Sequence, residues 1–268
     1  MSFIDNLLRG GMSGMKSVVF VWAILLLPAA AWAALPLITD DTATQGKGKF
    51  LIEVGAIYNG DKSSEDGIAI NENDHAFFST LTYGITNRVD IFISPLYVWS
   101  HVQTEGSNIT TDGISDTALG VKWRLFEKDK VSFAIKPLMI IPTGNEEKGF
   151  GAGRTRYGAY FIVTKEFDPW AIHANLGYIR NENKIDERND LWQVSLATTY
   201  EMVKNLKLCT DIGALTNTDK TSEIEPSYLL VGLIYSANEN VDISLGVKFG
   251  LNEPATDWAL LPGVTYRF

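Results

Sequence analysis

Val264-Thr265-Tyr266-Arg267-Phe268, the last five residues of the 268-residue chain, alternate strictly in character. Successive side chains of a strand point to opposite faces, so Val264, Tyr266 and Phe268 share one face and Thr265 and Arg267 the other. One face suits lipid and the other a wet lumen, as a strand crossing a membrane requires. An ordinary edge strand can also end this way, so the rest of the chain has to decide.

The same alternation recurs along the chain. Candidate strands of about ten residues fall near 49–58, 76–85, 89–100, 115–126, 131–141, 155–165, 170–180, 191–201, 206–215, 227–236, 241–251 and 258–268. In the fourth, Thr117, Leu119, Val121, Trp123 and Leu125 oppose Asp116, Ala118, Gly120, Lys122 and Arg124. In the eleventh, Val241, Ile243, Leu245, Val247 and Phe249 oppose Asp242, Ser244, Gly246, Lys248 and Gly250. A Lys or Arg at the bilayer midplane costs about 2–4 kcal/mol, and the apolar phase avoids charge throughout.

Connections alternate between short turns, such as Thr86-Asn87-Arg88, and longer polar loops at 59–74, 101–113, 142–153, 180–189 and 216–225. Short periplasmic turns and long outer loops have this rhythm. The expected fold is therefore all-β: a transmembrane antiparallel up-and-down β-barrel of twelve strands over 49–268. Tyr97, Trp99, Tyr178, Trp192, Trp258 and Tyr266 read as interfacial girdle residues facing outer-membrane lipid. Tyr266 and Phe268 are the expected assembly signal for the barrel assembly machinery.

The start of the chain reads differently. Residues 18–35, VVFVWAILLLPAAAWAAL, follow Arg9 and Lys16, contain Pro28 and end near Ala31-Trp32-Ala33. A short apolar core before a small-x-small site is the layout of a cleaved secretory signal, expected at 1–33, with Met15 as an alternative start. Residues 34–48 are then a periplasmic leader or a lumen plug. Removing 1–33 takes away Asp5, Arg9 and Lys16, leaving 21 basic and 31 acidic side chains, net −10. That balance speaks against nucleic acid as a partner. Cys209 is the single cysteine, and with His75, His101 and His173 it makes no metal-type spacing. No metal or other cofactor is expected.

The lumen phase gathers seven basic and five acidic residues: Lys122, Arg124, Lys136, Arg156, Lys207, Lys248 and Arg267 against Glu53, Asp116, Glu201, Asp211 and Asp242. They can pair into a network that stiffens the barrel, or form a polar constriction with a mild preference for anions. Leu51, Ile57, Phe92, Leu96, Val98, Leu138, Ile140, Tyr160, Ile162, Leu230 and Ile234 share that phase, where they either pack a small interior or line a greasy path. An outer-membrane lipase or deacylase needs a base beside a nucleophile; Ser100 and His101 point to opposite faces, so no catalytic residue is assigned.

Three stretches carry a family resemblance: LITDDTATQGKGKFLIE (37–53), SDTALGVKWRL (115–125) and KPLMIIPTGNEEKGFGAGRTRYG (136–158). The chain resembles the outer-membrane transporters associated with the meta-pathway of phenol degradation. The resemblance implies a passive channel for small aromatic or hydrophobic solutes. On the matching motifs it points to Asp116, Lys122, Arg124, Lys136, Thr143 and Gly144; Arg156 and Lys248 of the lumen phase complete the expected solute path. A closed structural barrel and a general porin are the alternatives.

Overall fold

Hydrogen bonding in the computed structural model follows the alternation closely. The structure describes residues 35–65, 68–104 and 107–268; the expected signal peptide lies outside the described residues. Fourteen strand segments follow one another: β1 (Phe50–Glu65), β2 (Ile68–Gly84), β3 (Val89–Ser94), β4 (Leu96–Thr104), β5 (Ser107–Ile114), β6 (Thr117–Lys128), β7 (Val131–Ile141), β8 (Arg156–Phe167), β9 (Trp170–Arg180), β10 (Asp190–Val203), β11 (Leu206–Leu215), β12 (Ser227–Ser236), β13 (Val241–Gly250) and β14 (Trp258–Arg267).

They build twelve barrel strands. β3 and β4 both pair with β2 and are one strand interrupted at Pro95, which has no N–H to donate. β5 pairs with β4 and β6 with β3, so these two are likewise one strand, broken at Ser115-Asp116. Every pairing is antiparallel, and β14 pairs with β1 to close the wall. Phe268 N–H donates to Phe50 O at 2.9 Å, extending the seam by one bond.

Two of the expected loops are strand. Pairing runs from Asp61↔Glu72 out to Glu65↔Ile68, and from Trp99↔Asp112 out to Thr104↔Ser107, so most of 59–74 and 101–113 is hairpin. Beyond the bilayer the outer face of a hairpin meets water and no longer has to be apolar. Backbone pairing then persists while the apolar alternation that marks a strand in the sequence disappears.

The outer face carries two aromatic belts. On the extracellular side Tyr58 packs on His75, Tyr97 on Trp99 and Tyr178 on Trp192, with centroids 5.2, 4.5 and 4.8 Å apart. On the periplasmic side Phe50 meets Tyr83 and Phe268, Phe133 bridges Phe126 and Phe161, and Trp170 meets Tyr200. Trp258 and Tyr266 mark opposite belts on one strand. Eight residues at about 3.4 Å, tilted about 40°, span about 21 Å, close to the apolar band of outer-membrane barrels. The inner face holds two buried apolar clusters, one around Phe92, Leu138, Tyr160 and Ile162, the other joining Ile57, Phe78, Val98 and Leu230 to Leu35, Leu37, Ile38 and Phe150.

Candidate functional site: the barrel lumen

Leu35, Leu37, Ile38, Thr39, Asp40 and Thr42 are all buried, against inward-facing side chains of the barrel wall. From its first described residue the leader works round the inner surface. Leu35 lies against Gly263 and Pro36 against Gly232 and Gly246. These glycines occupy the lumen phase of three adjacent strands; a Cβ at 246 would stand 2.8 Å from Pro36 Cβ, and one at 263 would stand 2.7 Å from Leu35 Cδ1. Ile38 N–H and Thr39 N–H both donate to Asp211 Oδ2, at 2.8 and 2.7 Å, and Thr39 Oγ1 donates to Asp211 Oδ1 at 2.7 Å. Tyr228 Oη donates to the same carboxylate at 3.1 Å.

The next residue carries the densest electrostatics. Asp40 receives Lys122 Nζ at 2.6 Å and Lys136 Nζ at 2.7 Å, with its side chain 1% exposed. Asp41 adds a longer contact to Lys122 at 3.4 Å. Lys136 Nζ also stands over the Phe92 ring, 4.7 Å from its centroid. Thr42 N–H donates to Thr164 Oγ1 at 3.2 Å and its hydroxyl bonds Ser132. Gln45 N–H reaches Asp90 at 3.0 Å. Gly46 and Gly48 take φ of +88° and +81°, values that favour glycine, and turn the chain out of the lumen into β1. Gly48 N–H closes this turn on Gly84 O at 2.8 Å.

A second cluster closes the extracellular side. Asp116 accepts from Gly144 N–H at 3.0 Å and Ala152 N–H at 2.9 Å, and pairs with Arg156 at 3.0 Å. Thr143 Oγ1 donates to Ser115 O at 2.8 Å and sits 2.9 Å from Thr117 Oγ1. One buried carboxylate thus holds both ends of the 144–152 loop, and Phe150 between them is fully buried in the lumen cluster. Glu146 Oε1 at 2.7 Å from Lys184 Nζ ties this loop to the next, and that bond holds the Glu146 carboxyl below its usual range.

The residues expected on the solute path therefore divide. Lys122 and Lys136 meet on the leader; Asp116, Thr143, Gly144 and Arg156 meet at the extracellular loop. Arg124 belongs to neither, because its guanidinium donates to Asn87 O at 3.0 Å and pairs with Glu127 at 3.3 Å on the periplasmic rim. Lys248 stands apart on β13 with no ion-pair partner among the described residues. Tyr266 and Phe268 face outward in the periplasmic belt, their rings 4.5 Å apart. The basic excess is largely taken up: Asp40 and Asp41, which belong to no strand, balance two lysines, and Arg267 pairs with Asp242 at 2.6 Å. The glycines at 232, 246 and 263 were missed; three glycines on the lumen phase of consecutive strands are the signal that a second segment approaches the wall.

A closed twelve-stranded antiparallel barrel with an apolar outer band and two aromatic belts defines a β-barrel protein of the bacterial outer membrane. A family model described as "Putative MetA-pathway of phenol degradation" matches residues 36–268, and the chain belongs to that family. Similar solved structures include an outer-membrane channel and two porins. An outer membrane channel from Pseudomonas putida F1 superposes with a TM-score of 0.65 at 15% identity, covering 85% of this chain and 98% of that one. The NanC porin gives 0.55 at 10% identity, with 80% and 98% covered, and the KdgM porin 0.54 at 11%, with 82% and 99% covered. The comparison with curated proteins gives no match.

Proposed function

We propose that this barrel is a passive channel for small aromatic or otherwise hydrophobic solutes, and that residues 35–48 control its opening. One observation carries the reading: the lumen wall carries two apolar clusters, and the leader that packs Leu35, Leu37 and Ile38 into one of them is tied to the wall by side-chain contacts, the strongest at Asp211, Lys122 and Lys136, and not by a strand ladder. An apolar lining offers little to a sugar and much to an aromatic ring. A segment held at points, outside the hydrogen-bonded wall, can leave without unfolding the barrel. Export after removal of 1–33 and recognition of the Tyr266/Phe268 strand by the assembly machinery complete this reading.

A closed structural barrel is the second reading, supported by the near-complete burial of Leu37 and Ile38 at 0% and 1% exposure. The mature protein in liposomes separates the two. The channel reading expects phenylalanine and benzoate to enter faster than arabinose; equal entry of all three indicates a general porin, and entry no faster than into protein-free vesicles indicates a structural barrel.

A further inference from the structure

Besides Lys248 and Glu53, an acidic group on the extracellular side of the lumen has no ion-pair partner among the described residues. Glu72 and Asp74 are adjacent inward positions of β2, 6% and 5% exposed. Asp61 stands directly across from Glu72 in the β1–β2 register, so two acidic side chains face each other, and neither has an ion-pair partner among the described residues. Asp74 pairs across the sheet with Asn59 on one side and Ser100 on the other. Asn59 Oδ1 accepts the Asp74 backbone N–H at 3.1 Å and leaves the carboxylate untouched. Apart from the Ser100 hydroxyl opposite, no donor among the described residues bonds that carboxylate, and its Oδ1 is buried without a hydrogen-bond partner. Lys248 lies on the same row through Ala259, three strand spacings or about 14 Å away along the sheet.

Directly below this polar row the wall turns apolar, with Ile57, Ala76, Phe78 and Val98 all buried. A buried carboxylate oxygen without a donor is costly, and an N–H donor carrying positive charge removes the cost best. A metal ion is a poor candidate, because no group of three or more His, Cys, Asp or Glu among the described residues is arranged to hold one. We infer that Asp74 and Glu72 form an entry site for small apolar-bodied molecules carrying a protonated amine, with the ammonium on Asp74 and the body on the apolar floor.

This inference rests on the channel reading, but its test measures binding and so fails separately. Isothermal titration of the detergent-solubilised mature protein at pH 7.5 compares phenethylamine with its neutral and anionic counterparts, phenethyl alcohol and hydrocinnamate. The amine is expected to bind at least tenfold tighter than either. That advantage is expected to fall to within twofold in Asp74→Asn and in Glu72→Gln, with alcohol binding and the heat-modifiable barrel band unchanged. Equal affinities in the native protein, or an amine advantage retained in both variants, overturns the site. Entry of aromatic solutes into liposomes without amine preference leaves the channel and removes the site; amine binding without any entry does the reverse.

Discussion

Replacing Asp40 by alanine removes the one side chain that joins the leader to two lysines of the wall. Lys122 retains Asp41 at 3.4 Å, while Lys136, with its side chain 5% exposed, loses its only ion pair among the described residues. Removing one partner of a buried ion pair costs about 3–5 kcal/mol where the remaining charge stays buried. Here the lysines regain water if the leader departs, so about 2–3 kcal/mol falls on the seated state, about a 30- to 150-fold shift toward release. The chain carries its own reporter. Cys209 is its single cysteine, it is fully buried, and it packs in the same cluster as Leu35 and Leu37. Modification by a membrane-impermeant methanethiosulfonate reagent should be slow in the native protein and faster in Asp40→Ala by a factor approaching that shift. Asp41→Ala, removing only the longer contact, should change the rate by less than about fivefold. An unchanged rate in a folded Asp40→Ala barrel would refute the idea that this ion-pair cluster retains the leader.

Asp211→Ala leaves Ile38 and Thr39 N–H without their acceptor, at about 1–3 kcal/mol per buried donor, and Cys209 labelling should accelerate as in Asp40→Ala. Gly246→Leu places a side chain where Pro36 lies and should raise labelling with both polar anchors intact; a rate equal to the native one counts against the glycine contact. Deleting Phe268 removes its ring from Phe50 and Tyr266 and its N–H bond to Phe50 O, so the fraction of heat-modifiable, assembled barrel in outer membranes should drop several-fold. The Glu146–Lys184 tie lowers a carboxyl pKa, so its contribution is complete above about pH 4.3 and is lost as pH falls through the depressed value. Noise from the outer loops in single-channel recordings should therefore rise only as pH falls below the usual glutamate range.

Strand number, closure, facing and belts were legible because lipid leaves a strict period-two record: only apolar side chains tolerate the outer face. That record ends with the bilayer, which is why the paired stretches beyond Asp61 and Trp99 read as loops. Pro95 and Ser115-Asp116 divide two strands without disturbing the alternation on either side. In the lumen, residue types were readable and partners were not. Lys122 and Lys136 are inward lysines on neighbouring strands, yet their counterion comes from Asp40, far earlier in the chain and outside any periodic segment. Asp116 was readable together with Thr143 and Gly144 because their motifs sit on one hairpin. Arg124 shares the phase of Lys122 but lies too near the periplasmic turn to reach the constriction. Asp74 lay in a stretch assigned to loop and so was never placed on the inner wall.

The most direct test of a barrel opened by displacing its leader is phenylalanine influx into liposomes carrying the native mature protein or the Asp40→Ala/Asp211→Ala variant, with arabinose as reference. Phenylalanine should enter faster through the variant, with the preference over arabinose retained in both proteins. Influx in both proteins no greater than in protein-free vesicles, with the variant's Cys209 readily labelled, would contradict it.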